Sequence, residues 1–72
     1  MDIKQKVGSR INQLRLEKKI SITNLAWDAN IDPSYLQETI RGERNISIIK
    51  LSQVCTQLEI SLHDFFVDPL FQ

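Results

Sequence analysis

The stretch IDPSYLQETIRGERN, residues 31–45, carries the side chains best equipped for recognition chemistry. Helical spacing puts Ser34, Gln37, Glu38 and Arg41 on its exposed side. A hydroxyl, an amide, a carboxylate and a guanidinium supply hydrogen bonds and charge. The chain has no nucleophile–base pair, phosphate loop or carboxylate dyad at enzyme spacing, so no catalytic residue and no enzyme are expected. With one cysteine, Cys55, and one histidine, His63, an internal disulfide and a Cys/His zinc site are excluded. No metal and no cofactor are expected. Cys55 falls on an inward face, where a thiol is inert. His63 reads as a surface residue.

The recognition side chains need a scaffold. Asp32 can cap a helix that has Pro33 in its first turn, and Gly42 supplies the left-handed stop. A helix of about nine residues is not stable alone, since roughly 12 to 15 are already marginal. Other elements must hold it. The apolar pattern predicts an all-α architecture of five helices and no strand. The first runs from about Asp2 to Lys18, with Ile3, Val7, Ile11, Leu14 and Lys18 inward and Arg10, Gln13 and Glu17 in solvent. Gly8 within it fits either a close helix contact or a tolerated place on the wet face. Ser21 caps a second helix over about 22–29 with Leu25, Ala26 and Ala29 inward, and Asn30 takes the turn. Ser47 caps a fourth over about 48–58, with Ile48, Leu51, Val54, Cys55 and Leu58 facing in. Ser61 caps a short last helix whose apolar side is Leu62, Phe65 and Phe66, and Asp64 makes a box-like cap. Asp68-Pro69 is expected to stop regular structure, with Leu70 and Phe71 trailing off. Trp27, outward on the second helix, is expected to pack on the stems of helix-one residues, with a partner surface as the alternative. The short second and third helices, joined by two or three residues, make a helix-turn-helix over about 22–41.

Length and composition bound the rest. Seventy-two residues make one domain, 1–72, which buries only about 60% of the surface its unfolded chain exposes. With 42% apolar and 25% charged residues the chain reads as an ordinary globular protein. No apolar run approaches a membrane span and no leader is visible, so a cytoplasmic location is the expectation. The net charge is zero, yet all nine Lys and Arg lie in residues 1–50 against six acids, a balance of +3. Residues 51–72 carry three acids and no Lys or Arg, a balance of −3. One end of the domain is then basic and the other acidic, unless the surface is uneven by chance.

From Val7 to Phe66 the chain reads VGSRINQLRLEKKISITNLAWDANIDPSYLQETIRGERNISIIKLSQVCTQLEISLHDFF. This stretch resembles, without gaps, the Cro and lambda-repressor type (XRE-like) helix-turn-helix family. The likeness is carried by Arg15, Glu17, Lys18, Ser21, Leu25, Ala26, Tyr35, Arg41, Gly42, Arg44, Asn45 and Ser47, and by Ile60-Ser61-Leu62. LAWDANIDPSYL also resembles the controller proteins of restriction–modification systems. The resemblance implies a compact five-helix domain that binds double-stranded DNA as a symmetric dimer, its third helix in the major groove. Two such helices about one DNA turn apart would read a pseudo-palindrome.

Carried onto this chain, the family's base-reading positions are Pro33, Ser34 and Glu38, with Gln37 adjacent. Pro33 offers apolar contact, Ser34 a hydroxyl, Gln37 an amide suited to adenine, and Glu38 an acceptor suited to a cytosine amino group. Against this, Ser34 can serve the cap alone, and Gln37 and Glu38 can be ordinary wet-face residues. Phosphate contacts are expected from Arg44 and Asn45, then Tyr35, Thr23, Asn24 and Arg41, the last of which also suits its helix's C-terminal dipole. Three departures stand out. Ile22 replaces a phosphate-binding Gln. Thr39-Ile40 replaces an apolar residue and a Glu, which leaves Arg15 to find another partner, with Glu43 and Glu17 as candidates. Ile46 replaces a Pro.

Phe65, Phe66, Val67, Leu70 and Phe71 exceed what so small a core needs. A two-fold contact through residues 61–72 is expected to use the surplus, giving a homodimer. The expected function is a sequence-specific transcriptional regulator, repressor or activator. The alternative is a helix-turn-helix scaffold kept for protein–protein binding with weakened DNA binding. Ile22, Glu38 and the zero net charge support it; Arg44, Asn45 and the charge split oppose it.

Overall fold

Each helix begins on a side-chain cap. The computed structural model describes residues 1–72 as five helices and a final 3-10 turn. Helix α1 (Ile3–Glu17) starts on a reciprocal box: the Asp2 carboxylate accepts from the Gln5 N–H, and the Gln5 side chain accepts from the Asp2 N–H. Ser21, Asp32, Ser47 and Ser61 cap α2 (Ile22–Asp28), α3 (Pro33–Ile40), α4 (Ile48–Gln57) and α5 (Leu62–Phe66). Each cap accepts a backbone N–H that no helical carbonyl can reach.

The helix ends are as regular. Lys19, Asn30, Gly42 and Glu59 take positive φ, between 57° and 78°. After each, the next N–H bonds back five residues into the helix: Ile20 to Arg15, Ile31 to Ala26, Glu43 to Glu38 and Ile60 to Cys55. This is the Schellman stop. Three times it is followed by isoleucine and then a Ser or Asp cap, in Lys19-Ile20-Ser21, Asn30-Ile31-Asp32 and Glu59-Ile60-Ser61. Ile31 is buried and Ile20 and Ile60 pack on the core, which fixes where each new helix leaves. Asn30 and Gly42 fit the expected turns. Lys19 and Glu59 show that tertiary packing also imposes the left-handed conformation on residues that do not favour it.

The core is one cluster drawn from every helix, including Ile11, Leu25, Leu36, Val54, Leu58 and Phe65. Helix α3 packs chiefly on α1 and α2. Gly8 makes this possible: a Cβ built there would lie 2.3 Å from the Thr39 carbonyl oxygen and 2.6 Å from that of Ile40. The close helix contact is therefore the reason for the glycine. Thr39, fully buried, donates its hydroxyl to the Tyr35 carbonyl at 2.9 Å, so its polarity is satisfied within α3.

Arg10 is not in solvent; it is 8% exposed and clamps the C-terminal segment to α1. Ile3 and Ile48, read as inward, are exposed, because each lies in the first turn of its helix beyond the edge of the core. Trp27 stays exposed on α2. Leu70 and Phe71 do not trail off. Asp68 caps a 3-10 turn over Pro69–Phe71, and Phe71 stacks edge-on against Phe66 with ring centroids 4.9 Å apart. Arg15 meets neither Glu43 nor Glu17. It donates to the Asn12 side chain at 2.9 Å and to the Ile20 carbonyl at 3.3 Å, so it holds the end of α1 through neutral acceptors.

Cys55 is buried among these helices, and desolvation pushes its pKa up to about 11, against a smaller opposing pull from Arg10. The unfolded thiol ionises near 9.0. Between those values the unfolded chain holds fewer protons than the folded one, so stability falls as pH rises from about 9 to about 11. Urea midpoints should drop more steeply over that window for the wild type than for Cys55→Ala. Parallel curves would refute the assignment.

Candidate nucleic-acid interface

The first turn of α3 is built by Asp32 and Pro33. The Asp32 carboxylate takes the Ser34 N–H at 2.8 Å, and Pro33 has no N–H to leave unpaired. This frees the Ser34 hydroxyl, which makes no bond within the chain and points from an exposed residue. Gln37 is exposed as well, while Pro33 and Glu38 are partly covered. Ser34 and Glu38 stand four residues apart and share one face of the helix. Thr23 and Asn24 lie exposed in the first turn of α2, where the Asn24 N–H is already taken by Ser21 Oγ.

Of the residues expected to hold phosphate, the structure brings two together around one ring. Tyr35 is half-buried, and its hydroxyl accepts the Ser47 N–H at 3.3 Å, which ties α3 to the start of α4. The Arg44 guanidinium carbon sits 4.4 Å from the ring centroid. The Lys50 ammonium lies 5.0 Å from the same ring. Ring faces attract cations, so the aromatic holds two positive charges beside α3. Lys50 escapes a reading of the sequence alone. Its spacing places it on the wet side of α4, and only the packing of α4 against Tyr35 turns it toward α3. Arg44 also donates from Nη2 to Glu38 Oε2 at 3.1 Å. Arg41 is drawn away from this group by Glu43, whose Oε1 accepts from its Nε at 3.1 Å. Both pairs are solvent-exposed and worth roughly 0 to 1 kcal/mol each. Asn45 is exposed beside them. Ile22, where the family has Gln, packs against the core.

The expected dimer residues divide. Phe65 is fully buried, so it closes the core and offers no surface to a second copy. Phe66 is 37% exposed and Val67 more so, while Leu70 and Phe71 are half-buried. Exposed Ile48, which lines one groove with Phe66, extends the apolar surface onto α4, and Ile49 beside it in sequence is exposed as well. A groove of about 190 Å³ opens where Phe66, Ile48 and Leu51 meet Ile3 and Val7.

The model of the Cro/C1-type HTH DNA-binding domain matches residues 10–69. The chain belongs to this family. As a Cro/C1-type domain it is 32% identical over 68 residues to the control protein C.MunI of Mycoplasma sp, covering 93% of this chain and 92% of that one. It is 40% identical over 58 residues to the HTH-type transcriptional regulator SinR of Bacillus subtilis (strain 168), covering 79% of this chain and 52% of SinR. Among solved structures, the restriction-modification controller protein C.AhdI from Aeromonas hydrophila superposes with a TM-score of 0.84 at 33% identity, over 88% of this chain and 96% of that one. The clp gene regulator ClgR from Corynebacterium glutamicum superposes with a TM-score of 0.89 at 27% identity, over 93% and 71%. The resemblance to repressors and the narrower one to controller proteins both hold. Fold and family are those of helix-turn-helix DNA-binding regulators, and the relatives are named as regulators. No helix of this Cro/C1-type domain is long and apolar enough to cross a membrane.

Proposed function

We propose that this chain is a sequence-specific transcriptional regulator that binds a pseudo-palindromic operator as a homodimer in the cytoplasm. The observation that carries the reading is the capped first turn of α3, which leaves Ser34 and Gln37 free beside the Arg44 and Lys50 charges on Tyr35. Residues 22–41 form the reading motif of a single domain. Pro33, Ser34, Gln37 and Glu38 face base edges; Thr23, Asn24, Tyr35, Arg41, Arg44 and Asn45, joined by Lys50, face phosphates. Phe66, Val67, Leu70 and Phe71, continued by Ile48 and Ile49, form the two-fold contact. Burying this apolar surface would stabilise a chain whose own core is small.

Titration of wild type against random and genomic duplexes at two salt concentrations tests the reading. Affinity should fall steeply with salt, since each phosphate contact releases counterions. Lys50→Ala should weaken all duplexes about equally, whereas Ser34→Ala should change preference at one position by about 1 to 3 kcal/mol. Light scattering should give twice the chain mass at micromolar concentration, and Phe66→Glu should give the monomer. A wild-type monomer removes the two-fold contact from the proposal.

A second reading keeps the helix-turn-helix as a protein-binding scaffold. Two features favour it: Ile22 is used in packing, and Glu38 neutralises Arg44. Absence of duplex binding at about 50 mM salt, where phosphate contacts are strong, would select it.

A further inference from the structure

Glu38 occupies two roles that conflict. Its carboxylate lies on the face of α3 that carries Ser34, where acceptors meet donor groups of bases. It also engages Arg44, whose guanidinium is otherwise the best-placed phosphate ligand of the following loop. The bond from Arg44 Nη2 to Glu38 Oε2 is 3.1 Å, and Arg44 is the sole hydrogen-bond partner of the Glu38 carboxylate in the chain. Tyr35 holds the guanidinium in place from the other side at 4.4 Å. Resting on the DNA-binding reading above, we infer that Glu38 is a specificity-determining residue which makes the phosphate grip of Arg44 conditional on the base it meets.

A free carboxylate among phosphates is repelled, and the major-groove edges of guanine and thymine present it only with acceptors or a methyl group. Opposite such bases Glu38 keeps its bond to Arg44, and the guanidinium is neutralised where a phosphate needs it. A cytosine amino group is a donor and offers Glu38 a replacement partner. Once Glu38 turns to the base, Arg44 is released while still stacked on Tyr35, and its charge goes to the phosphate. The exchange needs little energy because the internal pair is exposed and weak. Lys50 has no acidic partner, so it supplies charge to every duplex regardless of sequence. The adenine amino group is a weaker candidate, because the acceptor N7 beside it repels the carboxylate's second oxygen.

The test is a double-mutant cycle on binding with Glu38→Gln, Arg44→Gln and the pair, together with selection of bound sequences from a random duplex pool. Glu38→Gln should tighten random-duplex binding about two- to fivefold, the equivalent of one weak ion pair. It should steepen the salt dependence by about one phosphate contact. In the Arg44→Gln background the same change frees no cation, so it should leave the salt dependence nearly unchanged and give only the smaller gain that relief of carboxylate–phosphate repulsion brings. The wild-type pool should enrich cytosine at one position of each half-site, and the Glu38→Gln pool should lose that preference alone. Equal gains from Glu38→Gln in both backgrounds would mean simple charge repulsion and would overturn the coupling. So would a cytosine preference that survives Glu38→Gln. If the wild type binds no duplex, the DNA reading itself falls, a result distinct from additive effects in a protein that does bind.

Discussion

Arg10→Ala should cost about 3 to 5 kcal/mol of folding stability, the range for removing one partner of a buried ion pair. The guanidinium donates from Nε to the Phe65 carbonyl at 2.8 Å and from Nη2 to the Asp64 carbonyl at 3.1 Å. Both lie at the α5 C-terminus, where the Asp64 carbonyl otherwise accepts only the Val67 N–H and the Phe65 carbonyl has no helical partner. Nη1 reaches Asp68 at 3.1 Å and Gln13 at 3.1 Å. The side chains of Arg10 and Asp68 are only 10% and 14% exposed, so solvent screens the pair little. Alanine would leave the Phe65 carbonyl without a donor and the covered Asp68 carboxylate without its counter-charge, holding only the Leu70 N–H on Oδ1. The loss is a large part of the margin of a domain this small. Urea unfolding of wild type, Arg10→Ala and Arg10→Lys measures it. Lysine keeps the charge but not the fork, so it should fall between the two. A cost below about 1 kcal/mol for alanine would show that the clamp is an ordinary surface pair. The effect should reach the proposed dimer contact as well, because the clamp holds the segment that carries Phe66 and Val67.

Gly8→Ala should destabilise by about 2 to 3 kcal/mol, the usual scale of overpacking. Here the sign is as informative as the size. In a helix interior open to solvent the same change would stabilise by up to about 1 kcal/mol through helix propensity. The new methyl carbon would meet the carbonyl oxygens of Thr39 and Ile40 at 2.3 and 2.6 Å, and backbone cannot rotate out of the way as a side chain can. Helices α1 and α3 would have to separate. Since α1 is a principal support of α3, the face bearing Ser34 and Glu38 would move against the proposed phosphate ligands. Thermal unfolding reads the stability, and duplex titration should show weakened specific binding in whatever fraction stays folded. A stabilised Gly8→Ala would mean that the two helices do not approach this closely.

Local chemistry was legible along the chain. Ser21, Asp32, Ser47 and Ser61 each begin a helix, as the capping rule anticipates. Asn30 and Gly42 each turn left-handed where a stop was expected. These features depend on a residue and its near neighbours, so sequence specifies them. The same holds for Leu25, Leu51, Val54 and Leu58, whose spacing marks the inner faces. The family, too, was legible, because its motif positions are contiguous in the chain.

Tertiary structure decided what depends on distant partners. Helical spacing put Arg10 in solvent, but the carbonyls that accept from it lie 54 and 55 positions away at the end of α5. Periodicity has no means of encoding that distance. Ile48 and Phe65 have similar apolar character, and only the packing left the first at 66% exposure and the second at none. Gly8 offered two readings until α3 was seen against it. In the candidate site, the sequence named Tyr35, Glu38 and Arg44 separately, by helical face and motif position. That they form one group, with Lys50 added from α4, follows from the loop of residues 41–47 folding back over the Tyr35 ring. Capping, turns and apolar faces are local free energies and can be read in order along a chain. The pairing of charges is a matter of distance in space, and the fold alone sets it.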